Sequence, residues 1–171
     1  TINTIMGKFA TGKYQVLNAS KFVGSSTPVY RSSWELHFLR WCDRNDSVLS
    51  YASEEFAIPY VSPHDGRVHR YYPDGLVKMK HADGSIKRYI VEIKPKKQTQ
   101  PPKPGQRRTK TALYEAMEYE KNTAKWKAAE AFAKDNGIEF RIITEDELGI
   151  KQYGTRRVPK KRQQKNRRTH R

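Results

Sequence analysis

The chain has 171 residues with a formal charge of +16, from 34 Lys and Arg against 18 Asp and Glu, so one domain with one main core is expected, attracted to a polyanion more than to an acidic protein surface. No apolar run reaches the roughly 18 residues that span a bilayer, and residues 1–30 lack the apolar stretch of a signal peptide. The lone Cys42 excludes an internal disulfide and a cysteine zinc cage, so a soluble, unexported protein with a nucleic-acid partner is expected.

Residues 1–30 mix Gly, Ser, Thr and Lys with scattered aromatics. They read as an irregular arm, with a short element near Tyr14 to Leu17, suited to wrap the domain or its ligand. Ser32-Ser33-Trp34-Glu35 matches the S-x-x-E start of a capped helix, and Trp34, Phe38, Trp41 and Cys42 follow at helical spacing. A helix from about Ser33 to about Arg44 follows, with Glu35 expected to bond back to the Ser32 amide. Asn45-Asp46 ends it. Val48 to Tyr51 and Glu55 to Tyr60 then read as strands, closed by a turn over 62–66. His64 and His69 sit in this polar region without cysteine partners and read as ordinary loop histidines.

Val68 to Lys80 and Ile86 to Ile93 read as strands joined by Asp83-Gly84, a strong hairpin signal. Counting from that turn sets residue 74 beside 93, within an error of one, and a bulge is expected at Pro73-Asp74-Gly75. The proline-rich stretch 95–108 reads as a basic loop. Residues 111–136 favour a helix whose apolar face includes Leu113, Met117, Ala124, Ala128 and Phe132, stopped by Asn136-Gly137. Trp126 is expected in the core, and Lys125 is a candidate for contact with the site or its substrate. Ile138 to Thr144 alternates like a strand, and 145–148 begins a turn or short helix. The order is α-β-β-β-α-β, an α/β fold with a mixed central sheet flanked by helices. Three regions are expected: the arm 1–30, a domain 31–150, and a tail 151–171 whose ten Lys and Arg without an acid favour disorder.

The chemistry concentrates in Asp74 and in Val91-Glu92-Ile93-Lys94. In a strand the side-chain period is two, so Glu92 and Lys94 share a face with Ile90, while Tyr89, Val91 and Ile93 point the other way into a core. Two acids and an ammonium at one point suit a metal-dependent phosphodiesterase. The carboxylates of Asp74 and Glu92, with the Ile93 carbonyl, would hold Mg²⁺ (Mn²⁺ as an alternative), and Lys94 would orient the attacking water. The plain alternative is a solvent-facing strand on which Glu92 and Lys94 merely pair. Glu35 could serve as a metal ligand, as the helix cap, or as both, and at most one of Glu54 and Glu55 could turn inward. Lys96, Lys97, Lys103, Arg107, Arg108 and Lys110 after the strand, and Lys160, Lys161, Arg162, Lys165, Arg167 and Arg168 in the tail, are candidates to neutralise DNA phosphates without reading bases.

Tyr71-Tyr72-Pro73-Asp74 with Val91-Glu92-Ile93-Lys94 resembles the PD-(D/E)xK motif of the restriction-endonuclease-like superfamily. Its αβββαβ core has the element order read above. The blocks 30–35, 53–60, 65–71 and 92–97 together resemble the head-completion nucleases of T-even-like tailed bacteriophages, over about Lys21 to Leu148. The same signature is similar to the endonuclease subunit of Tn7-type transposons, which also carries a glutamate on its first helix. The resemblance implies Asp74 and Glu92 as Mg²⁺ ligands, Lys94 as the catalytic lysine and Glu35 as a further site acid. It implies an endonuclease or end-processing nuclease of low sequence specificity, with DNA and phage portal or head proteins as partners, acting in the host cytoplasm during assembly or within the virion. Gly75 departs from the family, many of whose members place a bulky apolar residue there. Two other readings stay open: a DNA-binding virion protein without chemistry, and a transposase-type subunit whose partner recognises the ends. Oligomeric state is not legible.

Overall fold

The computed structural model describes residues 11–103 and 109–149. Its centre is a four-stranded sheet in the order β3-β6-β7-β8, built from β3 (Val48–Ala52), β6 (Gly75–Lys80), β7 (Ile86–Ile93) and β8 (Glu139–Ile143). The first three are antiparallel and β8 runs parallel to β7, as the mixed α/β sheet read from the sequence requires. A parallel neighbour needs a long crossover, and α2 (Lys110–Asp135) supplies it. Helix α1 (Ser33–Arg44) has the predicted bounds. Two further pairs flank the sheet: β1 (Gly12–Lys13) with β2 (Val29–Tyr30), and β4 (Ile58–Val61) with β5 (Val68–Tyr71).

The expected continuous strand from Val68 to Lys80 is two strands in two sheets. Pro73 lacks an N–H and interrupts the ladder, so β5 pairs with β4, while β6 starts afresh at Gly75 beside Val91. No bulge forms at Pro73-Asp74-Gly75. The register shift lies instead in β3 between Val48 and Ser50, where one extra residue lets both Val48 and Tyr51 reach the core. Likewise, the second strand begins at Ile58 rather than at Glu55, because Glu54 adopts a left-handed backbone with φ of 49° that turns the chain out of β3. The 95–108 loop contains a short 3₁₀ turn, Lys96–Thr99.

Both faces of the sheet are covered. Tyr89, Val91 and Ile93 join Phe38, Leu39 and Cys42 of α1 with Val48, Tyr51 and Val77 in one core. Ile90 lies in a second core on the other face with Ile58, Tyr60, Tyr71 and the small Ala129 and Ala133 of α2. The expected apolar face of α2 is realised only in its C-terminal half, where Asn122, Trp126, Ala129 and Ala133 are buried at spacings that follow one helical stripe. Leu113 and Met117 stay exposed, and this half of the helix borders the 97–102 stretch.

The described part of the arm, 11–30, packs on the domain. Tyr14 is in the first core, and the Asp43 carboxylate accepts the Tyr14 hydroxyl at 2.8 Å and the Leu17 and Asn18 amides at 2.7 and 3.0 Å. Burial alone would raise the Asp43 carboxyl, but these donors outweigh it and hold it below the usual carboxylate range. Its contribution is therefore complete above an unfolded value of about 3.9 and is lost as pH falls through its lower folded value. Asp43→Asn is expected to reduce stability at neutral pH by about 1.5–3 kcal/mol and to flatten the acid limb of stability against pH, measured by urea unfolding.

Gly75 has a packing reason. A Cβ there would lie 2.9 Å from Phe38 Cε1 and 3.5 Å from the Ala52 carbonyl oxygen, so the buried Phe38 ring would have to shift. Gly75→Ala is expected to cost about 1–3 kcal/mol. Combining it with Phe38→Leu should cost less than the sum of the two, read from a double-mutant cycle.

Candidate active site

The candidate residues meet at the end of the sheet where β3 finishes, β6 begins, β7 finishes and α1 begins. Asp74 lies one residue before β6, and the observed register of Gly75 with Val91 extends to set Asp74 opposite Glu92, one residue from the position counted from the turn. Asp74 Oδ2 accepts the Ile93 amide at 2.7 Å. Its Oδ1 accepts no hydrogen bond among the described residues. Glu92 is only 4 % exposed, so the solvent-facing pair is excluded: the face carrying Ile90 and Glu92 lies under α2 and the β4-β5 hairpin. Glu92 Oε2 accepts the Tyr71 hydroxyl at 2.7 Å, and Lys94 Nζ stands 3.2 Å from Glu92 Oε1. The Lys94 amide bonds to the Ile143 carbonyl at 3.0 Å, extending the pairing with β8 before Pro95 ends it.

The electrostatics reflect this crowding. Burial, and then the negative charge of Glu92, push the Asp74 carboxyl well above its usual range, against the downward pull of the Ile93 amide. For Lys94, burial would depress the ammonium, but the carboxylates of Glu92 and Asp74 outweigh it and hold the group above its ordinary value. A buried carboxyl, Glu92, and a half-buried one, Asp74, facing one ammonium, with Asp74 Oδ1 left without a hydrogen bond among the described residues, form an oxygen donor set short of positive charge. A divalent cation fits that set, with Asp74, Glu92 and the Ile93 carbonyl as the residues that would hold it.

Glu35 serves the helix cap. Its Oε2 accepts the Arg31 amide at 2.8 Å rather than the expected Ser32 amide, its Oε1 accepts the Ser32 hydroxyl at 2.9 Å, and Ser32 Oγ accepts the Glu35 amide at 3.1 Å. It also lines one small cleft with Asp74, Ile93 and Glu54, and its charge is felt by Asp74. Among the described residues no three His, Cys, Asp or Glu side chains form a ready-made metal cage. Glu54 pairs with Arg31, and Glu55 accepts the Ser25 amide at 2.7 Å. Arg31 and Tyr71 are the two groups that sequence reasoning missed here. Tyr71 lay within the quoted motif, but its reach across to Glu92 depends on how the β4-β5 hairpin folds over the sheet.

The phosphate-binding candidates divide. Lys96 Nζ is 2.7 Å from Asp146, and Lys97 Nζ is 3.7 Å from Glu115, both on exposed ground. Lys103 and Lys110 are exposed. Arg107, Arg108, Lys160, Lys161, Arg162, Lys165, Arg167 and Arg168 lie outside the described residues. His64 Nε2 lies 2.9 Å from the Met117 carbonyl, and His69 Nε2 lies 2.8 Å from Asp65.

The family model for the TnsA-like endonuclease N-terminal domain matches residues 45–145. The chain belongs to this endonuclease family, within the restriction-endonuclease-like superfamily. The matched stretch contains Asp74, Glu92 and Lys94 and leaves out Glu35. The chain is also 41 % identical over 143 residues to the head completion nuclease of Enterobacteria phage T4, covering 81 % of this chain and 93 % of that protein. The resemblance carried by the four sequence blocks therefore holds for the family and its fold.

Tyr71→Phe removes the donor to a buried carboxylate oxygen while leaving the ring in place. A loss of about 1–3 kcal/mol in unfolding free energy is expected by urea titration.

Proposed function

We propose that this chain is a divalent-metal-dependent DNA endonuclease of low sequence specificity, with Mg²⁺ as its ion and Mn²⁺ as a substitute, and with Asp74, Glu92 and Lys94 as its site. The observation that carries the reading is the convergence of buried Glu92 with Lys94, at 3.2 Å, beside Asp74. Glu92 and Lys94 share one face of β7 and its continuation, and Asp74 meets them from the start of β6; holding two anionic groups and one cationic group together, with Glu92 buried and the other two half-buried, is expensive.

When bound, the ion would offset charge on the scissile phosphate and lower the pKa of water. Asp74 and Glu92 fix that ion's place, and the Ile93 amide and Tyr71 hydroxyl fix the two carboxylates in turn. Lys94, anchored on Glu92, presents an N–H to the attacking water and orients it in line with the phosphate. Glu35 acts beside them as the cap that sets the start of α1 against Asp74. The basic stretches contribute affinity through phosphate contacts without base recognition.

The T4 relative is named for head completion. That name, with 93 % of that protein covered, supports a place for this chain in finishing a phage head, with packaged DNA as substrate and portal or head proteins as partners. Among the described residues no helix is long and apolar enough to cross a membrane. Assembly in the host cytoplasm fits this role.

Incubating the purified protein with supercoiled plasmid is expected to give nicked or linear DNA with Mg²⁺ or Mn²⁺ and none with EDTA. Lys94→Ala should lower the cleavage rate by about 10²-fold or more while changing DNA affinity little. Cleavage that survives EDTA, or a Lys94→Ala variant as fast as the parent, refutes the assignment. A DNA-binding protein without chemistry would shift the plasmid in a gel and leave it uncut.

A further inference from the structure

Lys125 is a half-buried lysine on α2, and it faces the β4-β5 hairpin. Its Nζ stands 5.8 Å from the centre of the Tyr60 ring and 5.6 Å from that of Tyr71. Both rings are buried. The strand register explains the seat: Ile58 opposes Tyr71 and Tyr60 opposes His69, so Ile58, Tyr60 and Tyr71 share the face turned to α2, with the two tyrosines diagonal to one another. Tyr71 thus works at both ends, its ring beneath Lys125 and its hydroxyl on Glu92.

The neighbouring lysines differ in one respect. Lys94, Lys96, Lys97 and Lys121 each face a carboxylate. Lys125 forms no salt bridge or hydrogen bond among the described residues; only the ring faces hold it. Its charge is felt alongside those of Glu92 and Lys94, so it belongs to their side of the sheet. An ammonium has three N–H donors. Aromatic faces attract the cation and fix its position but satisfy none of those donors with an oxygen.

We propose that Lys125 is a phosphate-binding residue of the same site, pre-positioned by Tyr60 and Tyr71 to take a non-bridging oxygen of the DNA strand that lies across Glu92 and Lys94. This rests on the nuclease reading for its substrate. The division of labour is physical: Lys94 is tied to a carboxylate and serves the water, whereas Lys125 keeps its donors for the polyanion. A lysine seated on two rings loses little freedom on binding, unlike the exposed Lys97.

The test measures binding of a duplex oligonucleotide by fluorescence anisotropy over a series of NaCl concentrations, in EDTA so that no strand is cut. Lys125→Met keeps the aliphatic stem over the rings and removes the charge. It should lower the slope of log affinity against log salt by about one, and Lys125→Arg should restore most of it. With Mg²⁺, Lys125→Met should cleave at least tenfold more slowly than the parent, with Arg recovering most of the rate. An unchanged salt slope overturns the proposal, as does an unchanged cleavage rate in a parent that cuts. A purely structural lysine would shift the thermal midpoint and leave the slope intact, so the midpoint is recorded for each variant; Lys125→Gln replaces Met if that variant does not fold. A parent that never cuts, with the slope still lowered in Lys125→Met, would sink the nuclease reading and leave the phosphate contact standing.

Discussion

Two carboxyl groups that repel one another, Asp74 half-buried and Glu92 buried, are held together at one end of the sheet, and the surrounding structure is arranged to tolerate them. Each has a donor that fixes it: the Ile93 amide for Asp74 and the Tyr71 hydroxyl for Glu92. One ammonium, Lys94, offsets part of their charge. The remaining imbalance is the chemical signature of the place. A fold selected only for stability would replace such a group with apolar side chains, since buried ions seldom repay their desolvation.

The layers around the sheet serve that pocket from both faces. On one side α1 brings Phe38 so close to the start of β6 that a side chain at position 75 would press on its ring, and the same helix sets its capped N-terminus, with Glu35, beside Asp74. On the other side α2 and the β4-β5 hairpin cover Ile90 and Glu92. The hairpin is more than a decoration on the core: it carries Tyr71 to Glu92 and, with Tyr60, makes the seat for Lys125. The arm 11–30 is fastened through Asp43 at the C-terminal end of α1 and through Tyr51 and Glu55, and its Val29 lines the cleft beside Asp74.

Local signals were read well where they are local. The S-x-x-E cap gave α1 its bounds, Asp83-Gly84 gave the hairpin, and the alternation over 89–94 sorted Tyr89, Val91 and Ile93 from Ile90, Glu92 and Lys94. Errors arose where distant packing decides. The strand from Val68 to Lys80 broke in two because the chain leaves one sheet for another at Pro73, and periodicity is blind to which sheet a strand joins. Leu113 and Met117 fit an apolar helical stripe, yet the buried stripe of α2 starts only at Asn122. Counting from the turn sets position 74 one residue off, because the loop between Lys80 and Ile86 is centred on Asp83 and not between Asp83 and Gly84, and that offset runs unchanged down the ladder to Gly75 and Val91.

The sequence by itself determined the element order, the sharing of one strand face by Glu92 and Lys94, and the strong positive charge, since each depends on spacing along the chain or on composition. Only the tertiary structure decided that Glu92 on this face is buried rather than wet, that Tyr71 reaches Glu92, that Glu35 uses both oxygens at the helix cap, and that Lys125 lies on two rings with no oxygen partner among the described residues. Those are facts of burial and of contacts between residues far apart in the chain. No local pattern carries them, because they are fixed by which surfaces the helices and the hairpin cover when the sheet closes.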